Sequence, residues 1–442
     1  MQSSVSTRLL PSSDGENGWY QTLPAPRPST PLQGAVKADW AVLGAGLAGL
    51  AAARRLAELA PDKQIVLIDA VRVGFGAAGR NSGFLVDLPH DLTSNAYAGK
   101  REQDLDTIAL NREAISYLRD IVKANNIDCD WREQGKIHGA VKPHGIRLLE
   151  QFGASLGDLS EPFKLLNAAD MEQTTGTRYY AGGLYAPGCV LVQPAALCRG
   201  LAAALPDNVT LYEDSPVTHI EFGKTQRLVT ANGEIEADQL ILANNAYLTQ
   251  FGLFRGSLLP IYTYGSMTRQ LMDAELQRLG GDESWGLIPS DPLGSTVRRL
   301  ASGRICVRNS VTFNPKVQAT RANIKAALKS HQRSFERRFP MLKGVDLEYT
   351  WGGALCMTRN HGTVFGEMRP GVYAAVCQNG LGLTHGTISG KLVAELALGQ
   401  DSPSLRLIQK EPKPKENPPQ PFLSIGVKGA LRFKEWQAGL EK

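Results

Sequence analysis

The sequence predicts an α/β chain, α+β overall, in which a Rossmann-like nucleotide-binding domain is assembled from both ends of the chain around an inserted, mainly antiparallel-sheet domain. Three observations predict it. The stretch "ADWAVLGAGLAGLAAARRLAELAPDKQIVLIDA" reads as strand, glycine turn, helix and strand; strand-like segments crowd the middle of the chain; and a glycine-rich segment, "NGLGLTHG", returns near the other end. A length of 442 residues exceeds what one hydrophobic core usually serves.

Taken in order, the first 37 residues are rich in Pro, Ser and Gly and read as an extended lead-in lying on the surface. Trp40 to Leu43 and Gln64 to Ile68 are short apolar runs of the kind buried in a parallel sheet, and the helix between them stops near Pro61. In "LDTIALNREAISYLRDIVKANN" the residues Ile108, Ile115, Leu118 and Val122 fall on one helical face. In "NIKAALKSHQRSFERRFP" Ile324, Leu328, Phe335 and Phe339 do the same before Pro340. The segments "NVTLYEDSPVTHIEF", "RLVTANGEIEADQLILANNAY" and "LLPIYTYGSMTRQL" read as strands, with a hairpin about Asn232-Gly233. After the Pro-rich "KEPKPKENPPQP", an amphipathic segment carries Leu423, Val427, Leu431 and Trp436 among basic residues. It either packs back on the body, which its two glycines favour by weakening a free helix, or forms a peripheral membrane foot. The expected division is a lead-in over 1–37, nucleotide-domain parts over 38–100, 191–250 and 346–402, second-domain parts over 101–190 and 251–345, and the linker with its amphipathic segment over 403–442.

Composition narrows the class. With 48 basic against 43 acidic residues scattered along the chain, the net charge of +5 is too dilute for a nucleic-acid partner. The six cysteines form no CxxC pair and lie at no metal-ligand spacing with histidine, so neither a metal nor a disulfide framework is expected, and a reducing cytoplasm fits. The N-terminus lacks the pattern of a secretion signal, and no run of 18 apolar residues would span a membrane. The expected place is cytoplasmic, with the inner membrane face added if the amphipathic segment is a foot.

The chemistry lies in two glycine-rich loops. Gly44, Gly46 and Gly49 form GxGxxG at a strand-to-helix junction: the first allows a tight turn, the second a close approach to a pyrophosphate, and the third helix-on-strand packing. Leu47 and Ala48 open a helix whose N-terminus favours phosphate charge. Asp69, 20 residues after Gly49, ends the second strand and is placed to accept hydrogen bonds from a ribose. Ala70 follows it. Soon afterwards "VGFGAAGRNSGFLV" supplies Gly76, Ala77, Ala78 and Arg80 near a diphosphate and lays Asn81 and Ser82 near a flavin ring, an order that separates a flavin from a nicotinamide site.

With "LILANNAY", "YTWGGALCMTRNHGTVFGE" and "CQNGLGLTHGTISGKLVAEL", these motifs run in family order over about residues 38 to 400. The chain resembles the FAD-dependent amine oxidoreductases of the D-amino-acid-oxidase and glycine-oxidase-like superfamily, and within it the γ-glutamylputrescine-oxidase-like branch. The resemblance implies FAD as cofactor, Val217 meeting the adenine, Ala243 closing over the nucleotide, and Gly380, Leu381, Gly382, Leu383 and Thr384 leading into a helix aimed at the flavin. It implies that a neutral amine, either a γ-glutamyl polyamine, a secondary amine or an amino acid, gives its α-hydride to flavin N5, and that water hydrolyses the resulting imine. Tyr262, Tyr264, His90 and His385 are the candidates for catalytic groups. Relatives commonly carry Glu where this chain has Asp69, and Cys356 lies too close to Thr358 for the covalent linkage some relatives make, so the FAD is expected to be noncovalent. Arg269, Arg298, Arg299 and Arg308 are all conceivable partners for a substrate carboxylate. Oxygen, or a quinone or other electron carrier, would take the electrons. An NAD-type dehydrogenase and a catalytically silent flavin-binding protein are the alternatives.

Overall fold

The computed structural model describes residues 3–11, 15–89, 97–98 and 100–442. Strand Ile65–Ile68 is a run of four apolar residues, all buried, and it needs parallel neighbours and helices on both sides to be so. It lies between the strands Gly34–Leu43 and Val209–Tyr212, both parallel to it. Gly34–Leu43 in turn pairs in parallel with Gly233–Leu242, with Leu43 opposite Leu242. The first half of Gly233–Leu242 also forms the antiparallel hairpin with Gln226–Val229 expected about Asn232-Gly233, while Leu240 to Leu242 pair in parallel with the strand Val372–Val376. Both ends of the chain therefore enter one nine-stranded sheet.

The helices Leu47–Leu59 and Thr384–Ala397 cross on one face of that sheet, sharing a core of Leu50, Ala52, Leu56, Val393 and Ala394. Their approach is backbone to backbone. A Cβ at Gly390 would fall within the van der Waals envelope of the Ala48 carbonyl, and one at Gly49 within that of the Gly44 carbonyl. The long helix Arg101–Ala124 packs nearby with Ile108, Ile115, Leu118 and Val122 all buried.

A second sheet of eight strands runs Leu347–Met357, Leu259–Thr268, Arg304–Phe313, Thr296–Leu300, Trp285–Pro289, Lys136–Ala140, Gly182–Ala186 and Lys164–Asn167. Its pairs are antiparallel except that between Trp285–Pro289 and Lys136–Ala140.

Two expectations need correction, and the alternative left open for the C-terminal segment is decided for packing on the body. The N-terminal segment is a surface lead-in only in part: residues 24–31 are extended chain at the surface, but Ser4–Ser6 pairs with His219–Phe222 at the edge of the nine-stranded sheet, and Trp19 and Leu32 are buried. An open edge offers unpaired amides and carbonyls, and this segment satisfies them. In the helix Arg321–Arg338, Leu328 faces out, and the buried stripe is instead Ala327, His331, Ser334, Phe335 and Arg338, because His331 bonds Ser266 Oγ at 2.7 Å and turns that face inward. The C-terminal segment is a helix, Phe422–Ala438, whose Leu423, Val427 and Leu431 pack on Leu259, Ile261 and Phe313, while Trp436 points to solvent. Among the described residues no helix is long and apolar enough to cross a membrane.

The helix crossing yields a stability test. Gly390→Ala overpacks a backbone contact that cannot yield like a side chain, so it should cost roughly 1–3 kcal/mol and lower the melting temperature; an unchanged melt would refute the close crossing.

Candidate cofactor and active site

A cleft with about 1590 Å³ of empty space, part of it open to solvent, begins where the parallel strands end. Leu43, Asp69 and Ala243 mark those ends, as expected of a ligand site in an open α/β sheet. Gly44, Gly46, Leu47, Ala48, Ala70, Gly76, Ala77, Ala78, Arg80, Asn81, Val217, Gly380 and Gly382 line the same cleft. Gly49 lies beneath it, against Gly44. The helix opened by Leu47 has Gly46 as its N-cap and no side-chain cap, which leaves its first amides for a ligand.

Asp69 accepts hydrogen bonds from Ala45 N at 2.7 Å and Val71 N at 3.0 Å. Desolvation nevertheless outweighs them and pushes its pKa up to about 6. Asn244 adds a feature the sequence reading missed. It lines the cleft with both side-chain polar atoms buried and without a partner among the described residues, so a ligand with donors and acceptors suits it. Thr7, Leu9, Leu10 and Pro11, from the N-terminal segment, also line the cleft. The residues present therefore fit a dinucleotide with a charged pyrophosphate and polar rings.

The loop holding Arg80 and Asn81 is a crosslink. Arg80 Nε donates to Phe75 O at 2.6 Å and Nη1 to Gly352 O at 3.1 Å, its guanidinium stacks 4.9 Å from the Phe75 ring centroid, and Trp351 Nε1 donates back to Arg80 O at 2.9 Å. Asn81 braces the turn by donating to Ala78 O at 2.6 Å and accepting from Gly83 N at 2.8 Å. Both residues also line a second cavity, with about 920 Å³ of empty space, part of it open to solvent, together with Ser82, Leu381 and Leu383. The loop is thus a wall shared by two spaces.

Arg308 lines the second cavity, with Tyr97, Thr263, Pro292 and Thr296 around it. Its hydrogen bond is to Thr296 Oγ1 at 3.4 Å, and no carboxylate among the described residues pairs with it. Burial draws its pKa below the ordinary arginine range, against the opposing pull of Tyr97 and Cys306. The other three candidate arginines are engaged elsewhere. Arg269 grips Glu275 through two bonds of 2.8 Å, Arg299 bonds Gly280 O, and Arg298 donates to Ser82 O, Gly83 O and Val192 O at 2.7 to 3.2 Å.

Among the catalytic candidates, Tyr262 lines the cofactor cleft, with its hydroxyl donating to Val317 O at 2.7 Å. Tyr264 lines neither cavity; its hydroxyl lies 2.7 Å from Thr312 Oγ1. His385 Nε2 sits 2.7 Å from Glu411 and lines neither cavity. Burial lowers its pKa, but the Glu411 carboxylate more than offsets this and holds it above the usual value, which marks an anchor for the linker. Thr384 opens the helix Thr384–Ala397 just behind Gly382 and Leu383, its buried hydroxyl without a partner among the described residues. His90 lies outside the described residues. Cys356 is buried in the apolar core beside Cys377 and is not part of the cleft wall. Among the described residues no cluster of His, Cys, Asp or Glu could hold a metal.

The site is thus a cleft whose lining fits a dinucleotide, joined by a shared wall to a second cavity. The chain belongs to the DAO family of FAD dependent oxidoreductases, whose family model matches residues 39–396. FAD is therefore the cofactor, and the nicotinamide alternative falls. The chain is 28% identical over 386 residues to gamma-glutamylputrescine oxidoreductase of Escherichia coli, covering 84% of this chain and 86% of that one. It is 26% identical over 386 residues to the probable oxidoreductase OrdL of Haemophilus influenzae, covering 84% and 85%. Its fold is similar to that of glycine oxidase from Geobacillus kaustophilus, with a TM-score of 0.69 and 19% identity over 83% of this chain and 96% of that one.

If Asp69 holds the ribose, FAD binding is expected to depend on pH. Ribose hydroxyls would donate to the ionised carboxylate, so binding FAD requires the proton to leave. We expect FAD affinity to fall as pH drops through about 6, by up to about tenfold per pH unit. Asp69→Asn should bind more weakly above pH 6 and show a flat profile, read by flavin fluorescence titration; a parent profile already flat from pH 5 to 8 would rule this out.

Proposed function

We propose that this FAD-dependent oxidoreductase oxidises the C–N bond of a small amine or amino-acid derivative that carries a carboxylate. The observation that carries the reading is Arg308: a half-buried cation on the wall of the second cavity, without a carboxylate partner among the described residues. A desolvated guanidinium matches a carboxylate through two parallel N–H donors. Amino acids, N-alkyl amino acids and γ-glutamyl amines all offer that group, and the similarity to gamma-glutamylputrescine oxidoreductase supports the last.

When bound, FAD supplies the hydride acceptor for the amine's α carbon. The chain's part is to bind, orient and keep out water. Arg308 would fix the acid end, and the wall of Ala77, Arg80, Asn81, Ala354, Leu355, Gly380 and Gly382, common to both cavities, would hold the amine against the cofactor. Oxygen and a membrane quinone are the two acceptors in this reading. The second draws support from the helix Phe422–Ala438, whose outer face of Phe422, Ile425, Phe433 and Trp436 is bordered by Lys428 and Arg432, a pattern complementary to an anionic lipid surface.

Anaerobic bleaching of the bound flavin, screened over polyamines, γ-glutamyl amines, N-methyl amino acids and both enantiomers of common amino acids, tests the reading. Carboxylate-bearing amines should bleach it. Arg308→Met should raise their KM about 100-fold, the ~3 kcal/mol of a charge-assisted pair, and leave bleaching by simple polyamines unchanged. Bleaching by acid-free amines alone would sink the carboxylate assignment, and no bleaching by any amine would favour a silent flavin-binding protein. For the acceptor, bleached enzyme should be reoxidised by a short-chain quinone in anionic vesicles faster than by oxygen; the reverse order would remove the quinone and with it the reason for membrane contact.

A further inference from the structure

We propose that residues 7–11 are a strap that closes over the cofactor cleft, so that Thr7, Leu9, Leu10 and Pro11 belong to the FAD site and control how fast the cofactor enters and leaves. The inference rests on FAD as the cofactor of this chain.

The strap is fixed at both ends to different halves of the molecule. On the near side Ser4–Ser6 pairs with His219–Phe222, Ser6 Oγ lies 2.6 Å from His219 Nδ1, and Thr7 N donates to Thr218 O at 2.9 Å. Thr218 adjoins Val217, the cleft residue expected to meet the adenine, so this anchor stands at the adenosine end. On the far side Leu10 O accepts from Gln318 Nε2 at 3.3 Å, and Gln318 O is itself held by Asn314 Nδ2 at 2.9 Å. That segment, between the strand Arg304–Phe313 and the helix Arg321–Arg338, is tied to the second half of the molecule by the Tyr262 hydroxyl on Val317 O.

Between the anchors the chain faces the cleft with uncharged side chains. This chemistry suits a flat heteroaromatic ring and not a pyrophosphate, whose place is at the uncapped helix N-terminus across the cleft. Leu9 is 36% exposed although it borders the cleft, and a ring beneath it would take that apolar surface out of water. Among the described residues of the strap, the near anchor is held by backbone bonds and the far anchor by the Leu10–Gln318 side-chain bond, and beyond it the chain is fixed again where Gly15 bridges Trp351 and Trp19 is buried. Cofactor exchange then requires the segment between these fixed points to move off the cleft, with the Leu10–Gln318 bond among those that break.

The test uses the holoenzyme. In Leu9→Ser/Leu10→Ser/Pro11→Gly, which leaves the Ser4–Ser6 pairing intact, FAD release followed by the rise in free-flavin fluorescence after dilution should be at least about tenfold faster than in the parent. Gln318→Ala, which frees the far anchor and leaves every lining side chain in place, should give a smaller acceleration, about threefold. Amide exchange over residues 5–10 should be slower with FAD bound than in protein stripped of it. Release within about twofold of the parent for the triple variant with unchanged circular dichroism, or identical amide exchange with and without FAD, would overturn the strap. Should the triple variant not fold, Gln318→Ala and the exchange measurement decide.

Discussion

Backbone meets backbone where Gly49 lies on the Gly44 carbonyl and Gly390 on the Ala48 carbonyl, and the nucleotide half depends on both contacts. Without the first, the helix Leu47–Leu59 could not lie close enough to the strand Gly34–Leu43 for its N-terminus to open on the cleft. Without the second, the helix Thr384–Ala397, contributed by the far end of the chain, could not pack against it. Gly44 sits at a φ of +106°, which L side chains rarely adopt, so the turn itself also needs glycine. These glycines thus commit the intervening sequence, nearly the whole span of the family match at residues 39–396, to returning to the same sheet. The parallel pairing of Leu240 to Leu242 with Val372–Ala374 completes that return.

A second set of ties works through buried cations and not through packing. Arg298 comes from the eight-stranded sheet, donates to three carbonyls about the Ser82-Gly83 turn, and stacks between Trp19 and Phe84 at 5.3 and 5.7 Å from their centroids. Burial pulls its pKa down to about 10, still far above neutrality, so it stays charged. Arg80 answers from the other side, reaching Gly352 of the same sheet. The loop between the cavities is therefore held from both halves of the molecule. A loop fixed in this way serves as a rigid wall for a reaction, where a loop held by its own turn alone would move.

This division explains what could be read from the sequence. Elements whose cause is local were legible: the GxGxxG turn, the hairpin about Asn232-Gly233, and the apolar stripe of the helix Arg101–Ala124. Features set by distant partners were not. Tyr262 and Tyr264 share a face by strand alternation, their ring centroids 6.4 Å apart, yet only Tyr262 lines the cleft, because the elements packed around the strand decide how far along it the cleft extends. Four arginines looked alike as carboxylate partners until the structure placed Glu275 on one, carbonyls on two others and a cavity before the fourth. The role of the N-terminal segment was hidden for the same reason, since edge pairing is a property of the sheet it meets.

The shared wall also limits the chemistry open to this site. Among the described residues lining the second cavity, the groups that titrate are Arg80, Tyr97 and Arg308. Burial pushes the Tyr97 phenol far above its ordinary range, and its hydroxyl donates to Pro289 O at 2.8 Å. Neither arginine can accept a proton near neutrality. No carboxylate or imidazole among these lining residues stands ready to take a proton from substrate carbon, which disfavours a path that begins with α-proton abstraction. A path in which the α carbon loses hydride needs only that the amine arrive neutral. The cations at this wall raise the free energy of an ammonium group placed beside them, and so favour the neutral amine. For the proposed amine substrate, orientation and an electrostatic preference for its unprotonated form are then what the protein would supply, and a path by direct hydride loss is the one such a wall can assist.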